Sequence, residues 1–225
     1  SIIGGFGGAA IAKAGFVALI VSGYTKVMIF IFAAPLIGMV MAYVFSVLTL
    51  WIVRNQQPRK VDKYFRRLQL LSAALYSLSH GSNDAQKTIG IITILLFTNG
   101  LLGSTFYVPF YVIIMSHAVI ALGTLLGGWK VIRTLGMRVT KLTPFGGFSA
   151  ETSAGLTIIG ATIFGIPVST THTITGSIIG VGAIKGLSAV RWGVAKNILW
   201  AWVLTIPLSA IFAMVTYEIV LYFDG

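Results

Sequence analysis

Long apolar segments without charge are the feature that most constrains the fold of this chain. Residues 27–53 contain no charged side chain, and residues 104–127 and 197–217 repeat this pattern. A helix needs about 20 mostly apolar residues to cross a bilayer, so each segment is long enough to span one. Only 9% of the residues are charged, against about 25% in soluble domains. The sequence therefore predicts an all-α integral membrane protein.

The net charge of +11 comes mainly from two basic clusters that lie between apolar segments. The first comprises Arg54, Arg59, Lys60, Lys63, Arg66 and Arg67, and the second comprises Lys130, Arg133, Arg138 and Lys141. Basic residues at the ends of spans favour the cytoplasmic side. We therefore expect loops 54–67 and 130–141 to be cytoplasmic, in a plasma (inner) membrane, and we expect no nucleic-acid partner. The chain has no cysteine, which excludes disulfides and thiolate chemistry.

Two polar segments interrupt the remaining apolar stretches. Residues 79–86 read Ser-His-Gly-Ser-Asn-Asp-Ala-Gln, and we interpret 68–98 as one broken helix whose halves meet at 81–86. Residues 169–173 read Ser-Thr-Thr-His-Thr and lie between the apolar segments 146–166 and 172–184. The second of these is too short to span, so the pair predicts a re-entrant hairpin. Breaks of this kind indicate the binding site of a secondary transporter.

An internal repeat supports that interpretation. Ser-Ile-Ile-Gly occurs at 1–4 and again at 177–180, and each copy precedes an apolar helix with a central proline, Pro35 or Pro207. The expected topology makes the two copies inverted. We therefore divide the chain into the end of a first repeat (1–53), the basic loop 54–67 and a second repeat (68–225). We expect a missing first-repeat segment to complete the site, or two copies to assemble as a homodimer in membrane lipid.

The chain resembles the inorganic phosphate transporter (PiT) family at three ordered segments, 79–87, 147–154 and 165–173, with further similarity at 127–132. The order and spacing resemble the second repeat of that family. The resemblance implies cation-coupled symport of inorganic phosphate, with sodium or protons as the coupling ion, no organic cofactor and no enzymatic activity. Sulfate or another oxyanion is the alternative substrate within the family.

Phosphate oxygens require hydrogen-bond donors, and both polar segments supply them. The candidate phosphate-binding residues are Asn83, Gln86, Ser169, Thr170 and Thr171. The three hydroxyls follow Pro167 at the predicted start of a helix, where free N–H groups and the positive end of the helix dipole favour an anion. The alternative is that these hydroxyls only bond to helix carbonyls.

Asp84 and Glu151 are the only acidic residues between Asp62 and Glu218. An ionisable group at membrane depth is a functional hypothesis by default. Neither carboxylate can face phosphate directly without repulsion, so either a cation lies between the carboxylate and the phosphate or the carboxyl is protonated. We expect Asp84 to be a sodium ligand and Glu151 to act in cation binding or coupling. For Glu151 the alternative is a pair with a nearby lysine. The resemblance places Asp84 in the cation and phosphate site and Glu151 in the hairpin.

His80 and His172 flank the two polar segments and are candidates for proton or anion contact, or for a structural hydrogen bond. A passive anion channel is an alternative function, although such a pore gains nothing from buried carboxylates. An intramembrane hydrolase using Ser169 and His172 lacks an evident orienting acid.

Overall fold

The computed structural model describes residues 2–224, except for the side chains of residues 130 and 224. Ser1 of the predicted repeat and the Lys130 side chain therefore lie outside the described residues. Across the described range the secondary structure is helical, without strands. The α-helices are α1 (Ile2–Ala14), α2 (Val21–Val53), α3 (Pro58–Thr98), α4 (Phe110–Gly127), α5 (Trp129–Arg133), α6 (Pro144–Ile163), α7 (Thr170–Ala183) and α8 (Trp192–Asp224). This architecture confirms the predicted all-α class.

The chain divides into two units, and the smaller comprises residues 2–29 and 191–224. Within it, helix α1 packs along α8. The glycines of α1 make this packing close, because a Cβ atom at Gly4 or Gly8 would collide with the main-chain oxygen of Ile206 or Ala210. Helices in membranes commonly approach through small residues in this way. Glycines of this Gly-rich helix therefore form its contact surface toward α8.

The larger unit comprises residues 30–190, and α3, α6 and α7 pack together at its centre. Phe65 of α3 contacts the rings of Phe145 and Phe148 of α6, at centroid distances of 5.1 and 5.3 Å. Helix α7 approaches α2 through Gly176 and Gly180, where a Cβ atom would collide with the main-chain oxygens of α2. The interior of this unit therefore combines aromatic contacts between α3 and α6 with close glycine contacts between α7 and α2.

Three described helices are long and apolar enough to cross a membrane: Val21–Val53, Phe110–Gly127 and Trp192–Phe223. They correspond to the three predicted uncharged spans. Most of their large apolar side chains are exposed, as expected for surfaces that face lipid. Pro35 and Pro207 lie inside α2 and α8 without ending either helix. The protein is a membrane protein with transmembrane helices.

The predicted break of 68–98 is wrong, because α3 is one continuous helix of 41 residues. Its polar segment contains no proline, so every residue in it, Gly81 included, has a main-chain N–H to donate to the helix, and only Gly81 adds a cost in backbone entropy. Polarity in this segment belongs to side chains, which find partners on neighbouring elements. A polar segment within an apolar sequence therefore does not by itself end a helix.

The two basic segments are also more helical than predicted. Only residues 54–57 connect α2 to α3, because Pro58 begins the helix and an Arg66–Asp62 ion pair of 2.8 Å lies along its first turns. Residues 129–139 form α5 and a π-helical turn, Thr134–Val139. The span predicted at 104–127 begins only at Phe110, after Pro109 as N-cap. The hairpin helices, 144–163 and 170–183, lie within a few residues of prediction.

Candidate functional site

Asp84 lies where the two polar segments meet, between the middle of α3 and the start of α7. Its Oδ1 atom is 3.2 Å from Lys87 Nζ, and its Oδ2 atom is 3.7 Å from His80 Nε2. Thr170 Oγ1 donates to Oδ2 at 3.4 Å from the other segment. Segments 86 residues apart in sequence therefore share one carboxylate.

Lys87 joins the same two segments through a second contact. Its Nζ atom donates to the main-chain oxygen of Val168 at 2.9 Å, as well as to Asp84. Val168 directly precedes the N-cap of α7. A positive charge is thus held beside the hydroxyl residues that were predicted to bind phosphate.

Asn83 is buried on the face of α3 that contacts α6. Its Nδ2 atom donates to Thr162 Oγ1 at 3.1 Å, and only 5% of the residue is exposed. Its Oδ1 atom has no hydrogen-bond partner among the described residues. Because a buried amide oxygen without a partner costs free energy, this atom is a candidate to accept from a ligand or water.

The start of α7 has the geometry of an anion site. Ser169 is the N-cap, and its Oγ atom accepts from the main-chain N–H of His172 at 3.4 Å. The main-chain N–H groups of Thr170 and Thr171 are in the first turn, where no intrahelical acceptor exists. Thr171 is exposed and Ser169 is half-buried. These groups present donors in a small volume at the positive end of a helix dipole.

Two predicted site residues do not contact the cluster around Asp84. The Gln86 side chain is exposed. Glu151 accepts a hydrogen bond of 2.6 Å from Ser72 Oγ, and Ser72 lies about 18 Å along α3 from Asp84 at the standard helical rise. Glu151 therefore contacts α3 near its basic end and does not share the Asp84 cluster. The observed partner of Glu151 is the Ser72 hydroxyl, whereas the alternative prediction was a lysine.

The two histidines have different neighbours. His80 stacks on Tyr76, with ring centroids 5.7 Å apart, and contacts Asp84. His172 hydrogen-bonds to the main chain of Ile31 on α2. Pro35 lacks the N–H that would normally bond the carbonyl four residues earlier, which is that of Ile31. His172 thus has a structural partner, whereas His80 faces the candidate site.

A coupling cation would find hard oxygen donors around Asp84: its carboxylate, the Val168 carbonyl and the Thr170 hydroxyl. Lys87 already contacts the first two of these. Among the described residues, no three His, Asp or Glu side chains are grouped as a metal ion would require. The donor chemistry suits a monovalent cation, and Lys87 already supplies one positive charge there.

A sequence model described as the phosphate transporter family matches residues 1–213. The chain belongs to this family. The resemblance seen in the three ordered segments is thereby confirmed. The chain is also 53% identical over 217 residues, or 96% of its length, to a probable low-affinity inorganic phosphate transporter of Rhizobium meliloti strain 1021. It is 42% identical over 219 residues, or 97% of its length, to one of Bacillus subtilis strain 168.

This phosphate transporter family chain spans 65% and 66% of the lengths of those two relatives, just under two thirds. A solved structure described as the sodium-dependent phosphate transporter has the same fold, with a TM-score of 0.81 over 96% of this chain and 71% of that one. Their sequences are 24% identical. That comparison establishes the fold.

Sequence reasoning missed Thr162 as a member of the cluster around Asn83 and Asp84. Thr162 contacts Asn83 and also donates to the Ile158 carbonyl at 2.9 Å. No motif marks it, because its role depends on the packing of α6 against α3. Lys87 was visible next to the polar segment, but its contact with the Val168 carbonyl required the fold.

Proposed function

We propose that the protein transports inorganic phosphate across a membrane and that phosphate binds between the middle of α3 and the start of α7. The observation that carries this proposal is the meeting of the two polar segments at Asp84, through Thr170 at 3.4 Å. Membership of the phosphate transporter family supports the substrate. The proposal unites both donor-rich segments in one site.

The proposed ligand contacts follow from the donors present. Ser169, Thr170 and Thr171 supply hydroxyl and main-chain N–H donors at the α7 N-terminus, and Asn83 lies on the adjacent face of α3. No arginine occurs near either segment. Bidentate arginine contacts bind phosphate strongly, so their absence from the sequence here suits a carrier that must release its cargo. Gln86 is exposed and is a proposed contact only on the outer side of the site.

We propose that transport is coupled to a cation, sodium or proton. Asp84 and a phosphate ion repel each other, and a positive charge between them removes that repulsion. The carboxylate is the reason to favour a symporter over a passive channel. Glu151, at its separate position, is a proposed second coupling residue. The inverted repeat, a homodimer and the cytoplasmic placement of the basic segments also remain proposals.

Uptake of labelled phosphate into proteoliposomes tests this function. With an inward sodium or proton gradient, we expect phosphate to accumulate above its external concentration. Equilibration without accumulation would instead identify a channel, and uptake that excess sulfate abolishes would identify a broader oxyanion permease. Absence of any phosphate flux would refute the proposal.

Thr171→Val tests the site, because it removes one exposed hydroxyl and keeps the side-chain shape. A hydrogen bond to a charged group contributes about 1.5–3 kcal/mol, so we expect the phosphate KM to rise roughly tenfold or more. Thr98→Val, at an exposed threonine near the end of α3, is the matched control. Equal KM values for the two variants would remove Thr171 from the site.

A further inference from the structure

We infer that the Lys87 ammonium group is a permanent counter-ion of the phosphate site. It binds the oxygen atoms that would otherwise coordinate a sodium ion. This inference rests on the proposed phosphate transport, and it identifies Lys87, in place of sodium, as the positive charge beside the phosphate. It makes Lys87 a determinant of both phosphate binding and ion dependence.

The two contacts of Lys87 are not those of an ordinary surface ion pair. A pair three residues apart on a helix is common and weak. Here the ammonium also bonds to the Val168 carbonyl, 81 residues away, at 2.9 Å. The side chain is 29% exposed. Lys87 is therefore oriented across the gap between α3 and α7 and does not extend into the surroundings.

The position of Lys87 suits phosphate as well as Asp84. An ammonium group has three N–H donors, and two of them are used by Asp84 and Val168. The third remains for a ligand oxygen. Val168 directly precedes Ser169, so the charge lies next to the hydroxyl and N–H donors of α7. Lysine is a common phosphate ligand that acts as a point charge.

The same position disfavours sodium. A hard cation would take the Asp84 carboxylate and the Val168 carbonyl, which are the two oxygens that Lys87 contacts. Two unit charges about 4 Å apart repel by an amount equivalent to roughly fivefold weaker binding in water and about a thousandfold at a protein surface. Since this site is partly exposed, the expected weakening lies between those limits.

Phosphate uptake in two media tests the inference. We expect the wild-type protein to take up phosphate at equal rates in sodium and in N-methylglucamine medium, at one pH. Lys87→Gln should lose at least tenfold in uptake without sodium and recover part of it at high sodium. Lys63→Gln is the matched control, because Lys63 is an exposed lysine on the same helix. Strict sodium dependence of the wild type, or an unchanged Lys87→Gln, would overturn the inference.

A binding measurement separates this inference from the proposed function. Sodium chloride is titrated against the purified protein, with N-methylglucamine chloride at equal ionic strength as reference, and the melting temperature is followed. We expect sodium to raise the melting temperature of Lys87→Gln with a midpoint at least tenfold lower than any response of the wild type over the same range of sodium concentrations. A matching sodium response in both proteins would refute the counter-ion role even if phosphate is transported. The expected difference without any phosphate flux would leave the counter-ion role standing and refute the transport proposal alone.

Discussion

Replacing Ser72 with alanine tests how Glu151 is held. Ser72 Oγ is 2.6 Å from Glu151 Oε2 and 3.0 Å from the Gln69 carbonyl, so the shorter contact takes the hydroxyl hydrogen. Ser72 is 2% exposed. A hydrogen bond to a charged group contributes about 1.5–3 kcal/mol. In a protein of this size each kcal/mol corresponds to about 2–4 °C, so Ser72→Ala should lower the melting temperature by roughly 3–12 °C.

The chain offers a matched control for that experiment in Ser116. It is 5% exposed, and its hydroxyl has no partner among the described residues. Ser116→Ala should therefore change the melting temperature little or raise it. Both variants are measured by thermal unfolding in one detergent, together with Glu151→Ala and the Ser72/Glu151 double variant. Equal melting temperatures for Ser72→Ala and Ser116→Ala, or strictly additive losses in the double variant, would refute the bond.

Three further predictions concern packing, charge and topology. Gly176→Ala should destabilise the protein by about 1–3 kcal/mol, because the added Cβ atom would collide with the main chain of α2. Gly160→Ala adds a Cβ atom that contacts nothing, and it should stabilise the protein by about 0.5–1 kcal/mol. A thermal unfolding experiment that ranks the two variants in the opposite order would contradict this packing. Asn83→Asp adds a second carboxylate beside Asp84 and should raise the phosphate KM roughly a hundredfold. Asn99→Asp, at the exposed end of α3, should not, and similar KM values for the two variants would exclude Asn83 from the site. Because the chain has no native cysteine, single cysteines in the two basic segments should label from one side of the membrane, and labelling from opposite sides would refute their shared orientation.

The sequence predicted the helical spans well because lipid imposes a strict rule on length and charge. It also placed Ser169 at a helix start, since hydroxyls after a proline are typical of N-caps. It could not predict that α3 continues through residues 81–86. A helix can continue through a polar segment when the side chains of that segment have hydrogen-bond partners on other helices. The partner of Asn83 is Thr162, whose position depends on the packing of α6 against α3.

The site shows the same limit. Asp84 and Thr170 were both candidates from residue type alone, and their contact joins segments that no local pattern relates. Glu151 shares the residue type of Asp84, but the register of α6 against α3 assigns it to Ser72. Composition therefore identified the chemistry, whereas helix register decided which groups share a site.

Continuity of α3 fixes the angular relation between two distant contacts. Ser72 and Asn83 are eleven residues apart on one unbroken helix, which places them within about 20° of the same azimuth at 100° per residue. Turning α3 at one contact must therefore turn it equally at the other. A single residue inserted between them would rotate Asn83, Asp84 and Lys87 by about 100° relative to Glu151. Rotation of α3 at Asp84 would therefore also displace the Ser72–Glu151 contact.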